Sequence, residues 1–228
     1  GSGFSYEGYP LSSVFSIPFL GLTNEGMPRF YNERGVETLG DFNFSSSNIN
    51  FLKYSGTLDP TDVGTLTNTF RYKNFTLSAN INYEFGAVTR LRSISNTDDY
   101  SAFPRELTQR WKKPGDEAHT DIPRIPTSYA FDQYGADNLI NGFYAYSAST
   151  ARIVSTDLVR LKEISMEYTV SKTLLRRTPL KNLAVKLQAQ NLMLLYSDAR
   201  LRGDDPAYMY SSSVTAPKKL ILTLRVGL

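Results

Sequence analysis

The 228-residue sequence contains no cysteine. That excludes a disulfide framework and any thiolate-bound metal. His119 is its only histidine, so a His-based catalytic triad has one candidate and a multi-histidine metal site has none. No run of about 18 or more apolar residues occurs, which excludes a transmembrane helix. The formal net charge is only +3 and is dispersed along the chain, so no nucleic-acid partner is expected. Gly 15 and Pro 11 are ordinary counts, which excludes collagen-like and low-complexity chains. The sequence does not open on Met, and no leader segment is read in it. The chain opens Gly1-Ser2-Gly3 and is expected to be a piece of a longer protein.

What is present is apolar and aromatic. Hydrophobic residues make up 41% and aromatics 13%, with Tyr 15 and Phe 13, enough for an ordered chain. The strongest local signal is alternation of period two. Phe75, Leu77, Ala79, Ile81, Tyr83 and Phe85 share one face of a strand, with Thr76, Ser78, Asn80, Asn82 and Glu84 on the other. Leu183, Val185, Leu187 and Ala189 oppose Asn182, Lys186, Gln188 and Gln190 in the same way. At the C-terminus Leu220, Leu222, Leu224, Val226 and Leu228 oppose Thr223 and Arg225, with Ile221 out of pattern. Ile164 to Val170 alternates too, but Leu158 to Glu163 slips out of phase, which points to a bulge or to a stretch outside the main sheet. Two further strands are read in Leu11–Leu22, interrupted by Pro18, and in Thr65–Lys73. The pair Lys73-Asn74 joins the latter to the Phe75 strand as a tight hairpin. Helix signals are few: a turn or two at Arg105–Lys112, and a short helix at Ser171–Arg177 with Ser171 as its N-cap.

Six strands are thus expected, near 11–22, 65–73, 75–86, 158–170, 182–196 and 218–228. Their connections alternate in length. The turn at Lys73-Asn74 and the connection Ser171–Lys181 are short, whereas Thr23–Gly64, Ala87–Asp157 and Ser197–Pro217 are long. Compact soluble domains seldom carry such loops. Short turns at one end and long loops at the other are the habit of outer-membrane barrels. At about 3.3 Å per residue, Phe75–Gly86 spans roughly 40 Å, or roughly 30 Å of height when tilted by about 40°, enough for an apolar band of about 25 Å. The fold class expected is all-β: an antiparallel transmembrane β-barrel fragment with long extracellular loops.

At this point the chain resembles the SusC/RagA-type TonB-dependent transporters of the Bacteroidetes outer membrane, over nearly its whole length and in the family's order. The segments that carry the resemblance are Gly21-Leu22 followed by Gly26-Met27-Pro28; Tyr54-Ser55-Gly56-Thr57-Leu58-Asp59-Pro60; and Leu66-Thr67-Asn68-Thr69-Phe70-Arg71-Tyr72-Lys73-Asn74-Phe75. Next come Arg110-Trp111-Lys112-Lys113-Pro114-Gly115-Asp116-Glu117, then Ile122-Pro123-Arg124. Arg160-Leu161-Lys162-Glu163-Ile164-Ser165-Met166-Glu167-Tyr168 and Gln190-Asn191-Leu192 complete the set. The chain departs from the pattern at Leu228, where the family ends on an aromatic, and at Ala207, where it often has Glu. The resemblance implies about the last six strands of a 22-stranded barrel, with the plug domain and the N-terminal barrel absent from this segment. It implies a nutrient importer of a glycan or oligopeptide in the bacterial outer membrane, in contact with outer-membrane lipid. The implied partners are a SusD-like surface lipoprotein, and the TonB complex through the missing N-terminal region. No enzymatic activity, cofactor or metal is expected.

The substrate- or partner-binding candidates are Arg110, Trp111, Lys112, Lys113, Tyr129, Tyr134, Tyr144, Asp205, Tyr208 and Tyr210. The basic residues around Trp111 suit a lipoprotein partner or substrate, or else a loop whose Trp is tucked under its own Pro114-Gly115 turn. The loop tyrosines suit stacking on sugar rings or peptide side chains, or plain packing. Phe75, Phe85, Tyr168 and Tyr196 fall near strand ends and read as interface girdle. His119, close in sequence to Asp116, Glu117 and Asp121, reads as a solvated loop residue rather than a base or ligand. Asp98-Asp99 and Asp204-Asp205 lack the spacing of a calcium loop and read as turn formers. Two rival functions remain in view. One is a soluble β-sandwich carbohydrate-binding module of a secreted enzyme. The other is a glycosidase, for which no carboxylate pair can be placed from sequence.

Overall fold

A computed structural model describes residues 5–43, 49–91, 105–201, 203–209 and 216–228. In chain order the strands are β1 (Ser13–Ser16), β2 (Phe19–Leu22), β3 (Pro28–Tyr31), β4 (Glu37–Thr38), β5 (Lys53–Thr57), β6 (Asp62–Tyr72), β7 (Phe75–Phe85), β8 (Val88–Arg90), β9 (Ile153–Ser155), β10 (Leu158–Thr169), β11 (Asn182–Ser197) and β12 (Lys219–Gly227). The helices are α1 (Ser128–Tyr134), α2 (Ala136–Ser147) and α3 (Lys172–Leu175). The fold is dominated by antiparallel strands, and no helix among the described residues is long and apolar enough to cross a membrane, which says nothing of strands. The chain divides into two compact units, one of Gly1–Leu58 with Val88–Val154, the other of Asp59–Ala87 with Ser155–Leu228.

The second unit is a five-stranded antiparallel sheet in the order β12-β11-β10-β7-β6. Its register follows the period-two pattern. Leu66 pairs with Ile81, Phe70 with Leu77 and Tyr72 with Phe75. Leu77 faces Met166, and Phe75 faces Tyr168. Across the next ladders Met166 pairs with Leu187, and Leu187 with Leu222. One face is therefore predominantly apolar across all five strands, with Asn68 of β6 a polar exception opposite Ala79. The opposite face carries Thr65, Thr67, Thr69, Ser78, Asn80, Glu163, Ser165, Glu167 and Lys186. Among the described residues the five strands do not close into a barrel.

The out-of-phase stretch is a bulge. Leu161 pairs with Ile81 and Glu163 with Asn80, leaving Lys162 as the extra residue. Opposite it, β11 skips Asn191 and Leu192 between Gln190 and Met193. Asn191 there takes a positive φ of 55°, a conformation Asn tolerates better than most residues. The hairpin at Lys73-Asn74 is a two-residue turn with Lys73 at φ 51°. Ser171 precedes α3, but its side chain makes no capping bond. Its carbonyl instead accepts from the N–H groups of Leu174 and Leu175.

The expected strand at Leu11–Leu22 is corrected: it is two four-residue strands. β1 pairs with β5, and β2 with β3, so the large sheet has five strands where six were read. Pro18 has no N–H to continue a ladder. On either side of it Ile17 donates to the carbonyl of Ala148 at 3.1 Å, and Phe19 to Oγ1 of Thr150 at 3.2 Å.

The long connections carry structure of their own in the first unit. Ile17, Phe30, Leu107, Ala145 and Tyr146 form a buried cluster, and Met27, Ala130 and Leu139 a second. Thr127 caps α1 by accepting from the Ala130 N–H. Helix α2 presses against the chain at Leu39-Gly40. A Cβ on Gly142 would stand 2.3 Å from the Leu39 carbonyl oxygen, and one on Gly40 would stand 1.8 Å from that of Asn138. Only glycine permits an approach that close.

Candidate functional site

On the polar face of the five-stranded sheet lies a hollow of ≈ 590 Å³. Thr69, Arg71, Ser78, Asn80, Glu163 and Lys186 are among its lining residues. Hydroxyl and amide groups there bond across strands. Thr65 donates to Asn82 at 3.2 Å, Asn80 donates to Thr67 at 3.3 Å, and Thr69 and Ser78 share a bond of 3.2 Å. Glu163 is held in place by two amides, accepting from Gln188 and Gln190 at 2.9 Å each. Arg225 reaches Glu167 at 3.0 Å. Such a wall offers water-like partners to a polar solute and carries charges of both signs.

The apolar face is bare. Leu220 is 80% exposed and Leu222 72%. In a β-sandwich the apolar faces of two sheets bury one another. A contiguous exposed apolar surface this wide marks contact with lipid or protein.

In the second unit, the β11–β12 connection is tied to the sheet at two places, through Arg160 and Asn191, and to Ser155 of β9 at a third. Asp198 accepts from the Arg200 backbone N–H at 2.9 Å and pairs with its guanidinium at 3.0 Å. A backbone N–H of Ser155 also reaches the Asp198 carboxylate, and these contacts, the Arg200 side chain first, hold its pKa below the ordinary value. Asp205 pairs with Arg160 of β10 at 2.5 Å and caps the 3-10 turn Pro206–Tyr208 through the Ala207 N–H. Asn191 donates to the Pro217 carbonyl at 3.2 Å. Tyr208 is half-buried. Tyr210, and the Asp98-Asp99 pair, lie outside the described residues.

In the first unit, Trp111 is buried, and its indole Nε1 donates to Glu117 Oε2 at 2.9 Å. The indole lies directly against Gly26, where a Cβ would stand 2.4 Å from it. The Arg124 guanidinium stands 5.9 Å from its ring centroid. Asp116 accepts from the N–H groups of Lys112 and Lys113 at 3.0 and 3.1 Å, which closes the Pro114-Gly115 turn. The Lys112 and Lys113 side chains point outward, while Arg110 donates to the Leu107 carbonyl at 2.9 Å. Glu117 is held below the usual carboxylate range, first by its own backbone N–H and then by the Trp111 indole. Tyr134 donates to Glu25, which pushes its phenol pKa up. Tyr129 and Tyr144 are exposed. His119 is exposed and donates its backbone N–H to Asp116 at 2.8 Å.

The candidates therefore divide. Arg110 to Lys113, Tyr129, Tyr134 and Tyr144 belong to the first unit, and Asp205 and Tyr208 to the second. Trp111, Tyr134 and Asp205 are engaged within the protein, while Lys112, Lys113, Tyr129 and Tyr144 offer free surface. Among the described residues no group of three or more His, Cys, Asp or Glu side chains could hold a metal ion. Residues missed from sequence include Arg152, buried and paired with Glu106 through Nη1–Oε2 at 2.9 Å and Nη2–Oε1 at 2.8 Å. Glu25, Glu106 and Arg160 were missed as partners, since nothing in a linear pattern joins residues 45 to 109 positions apart.

No protein-family model matches the sequence, and no curated protein matches it at a significant level. In structure the chain is similar to chains of the RagAB peptide importer. With the importer in its open-open state the TM-score is 0.62 at 16% identity, over 97% of this chain and 23% of that one. For the closed-closed state the values are 0.61, 15%, 98% and 24%. With a further structure of the RagAB peptide transporter they are 0.55, 18%, 83% and 20%. The chain thus spans about a quarter of the length of the solved chains it matches. At such identities the likeness is one of fold.

Proposed function

We propose that this chain is the C-terminal part of the β-barrel of a SusC/RagA-type TonB-dependent outer-membrane transporter. The carrying observation is the five-stranded antiparallel sheet with one face predominantly apolar and largely exposed and the other predominantly hydrogen-bonding. In this reading the apolar face meets outer-membrane lipid and the polar face lines the lumen, as barrels of this kind require. The fold likeness to chains of the RagAB peptide importer supports it. So do the short connections at Lys73-Asn74 and between β10 and β11, with long connections at the other strand ends.

The transporter would import a glycan or an oligopeptide, capped by a SusD-like surface lipoprotein and driven through TonB acting on a plug that this segment does not include. The segment contributes wall, lumen groups and extracellular loops, and it makes or breaks no bond. The first unit would form the extracellular surface, with Lys112, Lys113, Tyr129 and Tyr144 available to partner or substrate. The test is the size and location of the gene product in fractionated source cells, detected with an antibody to Arg200–Tyr210. A heat-modifiable outer-membrane band several times larger than 25.6 kDa is the expected result. A soluble band at that mass would sink the reading in favour of a secreted binding module.

A further inference from the structure

The connection between β11 and β12 leaves the sheet at Ser197 and returns at Lys219. A free extracellular loop would rise away from the strands that carry it. This one is bound back to them. Arg160 stands two residues into β10 from its start at Leu158, opposite Asn82. Asn82 belongs to the polar face, in the row of Thr65, and accepts from the Thr65 hydroxyl there. The Arg160 side chain therefore leaves the sheet on its polar side, and the loop carboxylate of Asp205 meets it there. Both groups are largely shielded, with side-chain exposures of 21% and 13%. Tyr208 lies within electrostatic reach of the same guanidinium.

The rest of the loop is built to hold that position. Leu201 is 2% exposed and Pro206 is buried, so the connection is anchored by packed residues on either side of Asp205. The Asp205 carboxylate also caps the turn that carries Tyr208, so one side chain fixes both the loop's fold and its attachment. The ties of Asp198 to Ser155 and of Asn191 to Pro217 fix the outgoing and returning ends.

We propose that the Arg160–Asp205 pair is a latch that holds the Asp205–Met209 part of the β11–β12 connection inward over the polar face, as a shelf that narrows the mouth of the passage and sets Tyr208 at its rim. The inference rests on the transporter reading for what passes the mouth, but the latch itself is a property of the sheet and its loop. Asp205 is thus a positioning residue: its loss frees the shelf without removing a strand.

The test uses the full-length protein with Asn82→Cys as a reporter beside Arg160, labelled by a bulky membrane-impermeant maleimide. The same protein without the reporter supplies the background. The Asp205→Asn and Arg160→Gln variants are expected to label about tenfold faster than the parent, as a shelf released from a shielded ion pair opens more often. Exchanging the pair, Arg160→Asp with Asp205→Arg, is expected to restore slow labelling. An Asp205→Asn rate equal to the parent's would overturn the latch, and so would an exchanged pair as fast as the single variants. Labelling is run both on cells and on purified, heat-modifiable protein in detergent. Failure to find the protein in the outer membrane would then count against the transporter reading, while the rate comparison on purified protein still judges the latch.

Discussion

The phenol ring of Tyr146 lies beneath the Arg152 guanidinium, whose carbon is 5.5 Å from the ring centroid. Burial pushes the Tyr146 pKa up to about 12, against the pull of the Arg152 charge in the other direction. Because the folded value is raised, this group's contribution to stability is complete below the ordinary tyrosine value of about 10. It is lost as pH rises through about 12. Tyr146→Phe is expected to flatten the alkaline loss of stability in that window. Denaturant unfolding of the two proteins between neutral and strongly alkaline pH measures it.

Arg152 and Glu106 share a two-armed bond in a site where Arg152 is 2% exposed. Removing one partner strands the other, so Glu106→Gln or Arg152→Met is expected to cost about 3 kcal/mol. Replacing both, Glu106→Leu with Arg152→Met, is expected to recover most of that loss. A double-mutant cycle in denaturant midpoints decides between the pair and either residue alone.

Trp111 is the only tryptophan of the chain, so its emission reports the turn at Pro114-Gly115. The contribution of Glu117, whose pKa is lowered, is present above the ordinary carboxylate value and is lost as pH falls through the lowered one. Trp111→Phe is expected to move the Glu117 titration upward, toward the ordinary carboxylate value, in a carboxyl-detected NMR titration. An unchanged Glu117 titration would mean that the indole bond does not hold the carboxylate.

Ile221 and Leu222 are adjacent in β12 and face opposite sides, Ile221 opposite Gln188 and Leu222 opposite Leu187. Leu222→Lys is expected to cost about 2–4 kcal/mol when the full-length protein folds into lipid vesicles, since it sets a charge against hydrocarbon. Ile221→Lys, on the polar side, is expected to cost under about 1 kcal/mol. Equal costs at the two positions would contradict the assignment of lipid and lumen faces.

The sheet was legible because its faces differ in kind. Phe75–Phe85 alternates without a fault, and its register follows the pattern residue for residue. The strand at Leu11–Leu22 was misjudged because aromatic and β-branched residues outweighed Pro18, whose missing N–H decided the outcome. Helix α2 was hidden by its own composition. Asn, Gly and aromatic residues give it weak intrinsic propensity, and packing of Leu139, Gly142, Ala145 and Tyr146 sustains it instead. The candidate residues could be named from their types, but their partners lay far off in sequence, so whether a side chain was free or engaged could not be read.

The bulge at Lys162 makes β10 a strand in two phrases with one spare letter between them. Leu158 to Leu161 and Glu163 to Tyr168 are each in step with β7, and between them only Lys162 has no counterpart there. Deleting that residue would fuse the phrases into a single alternation and leave every other side chain on its own side of the wall. Deleting any residue of Ile164 to Tyr168 would throw oil-facing groups toward water and water-facing groups toward oil. Tolerance to a change of length is therefore confined, in this strand, to the place where its rhythm breaks.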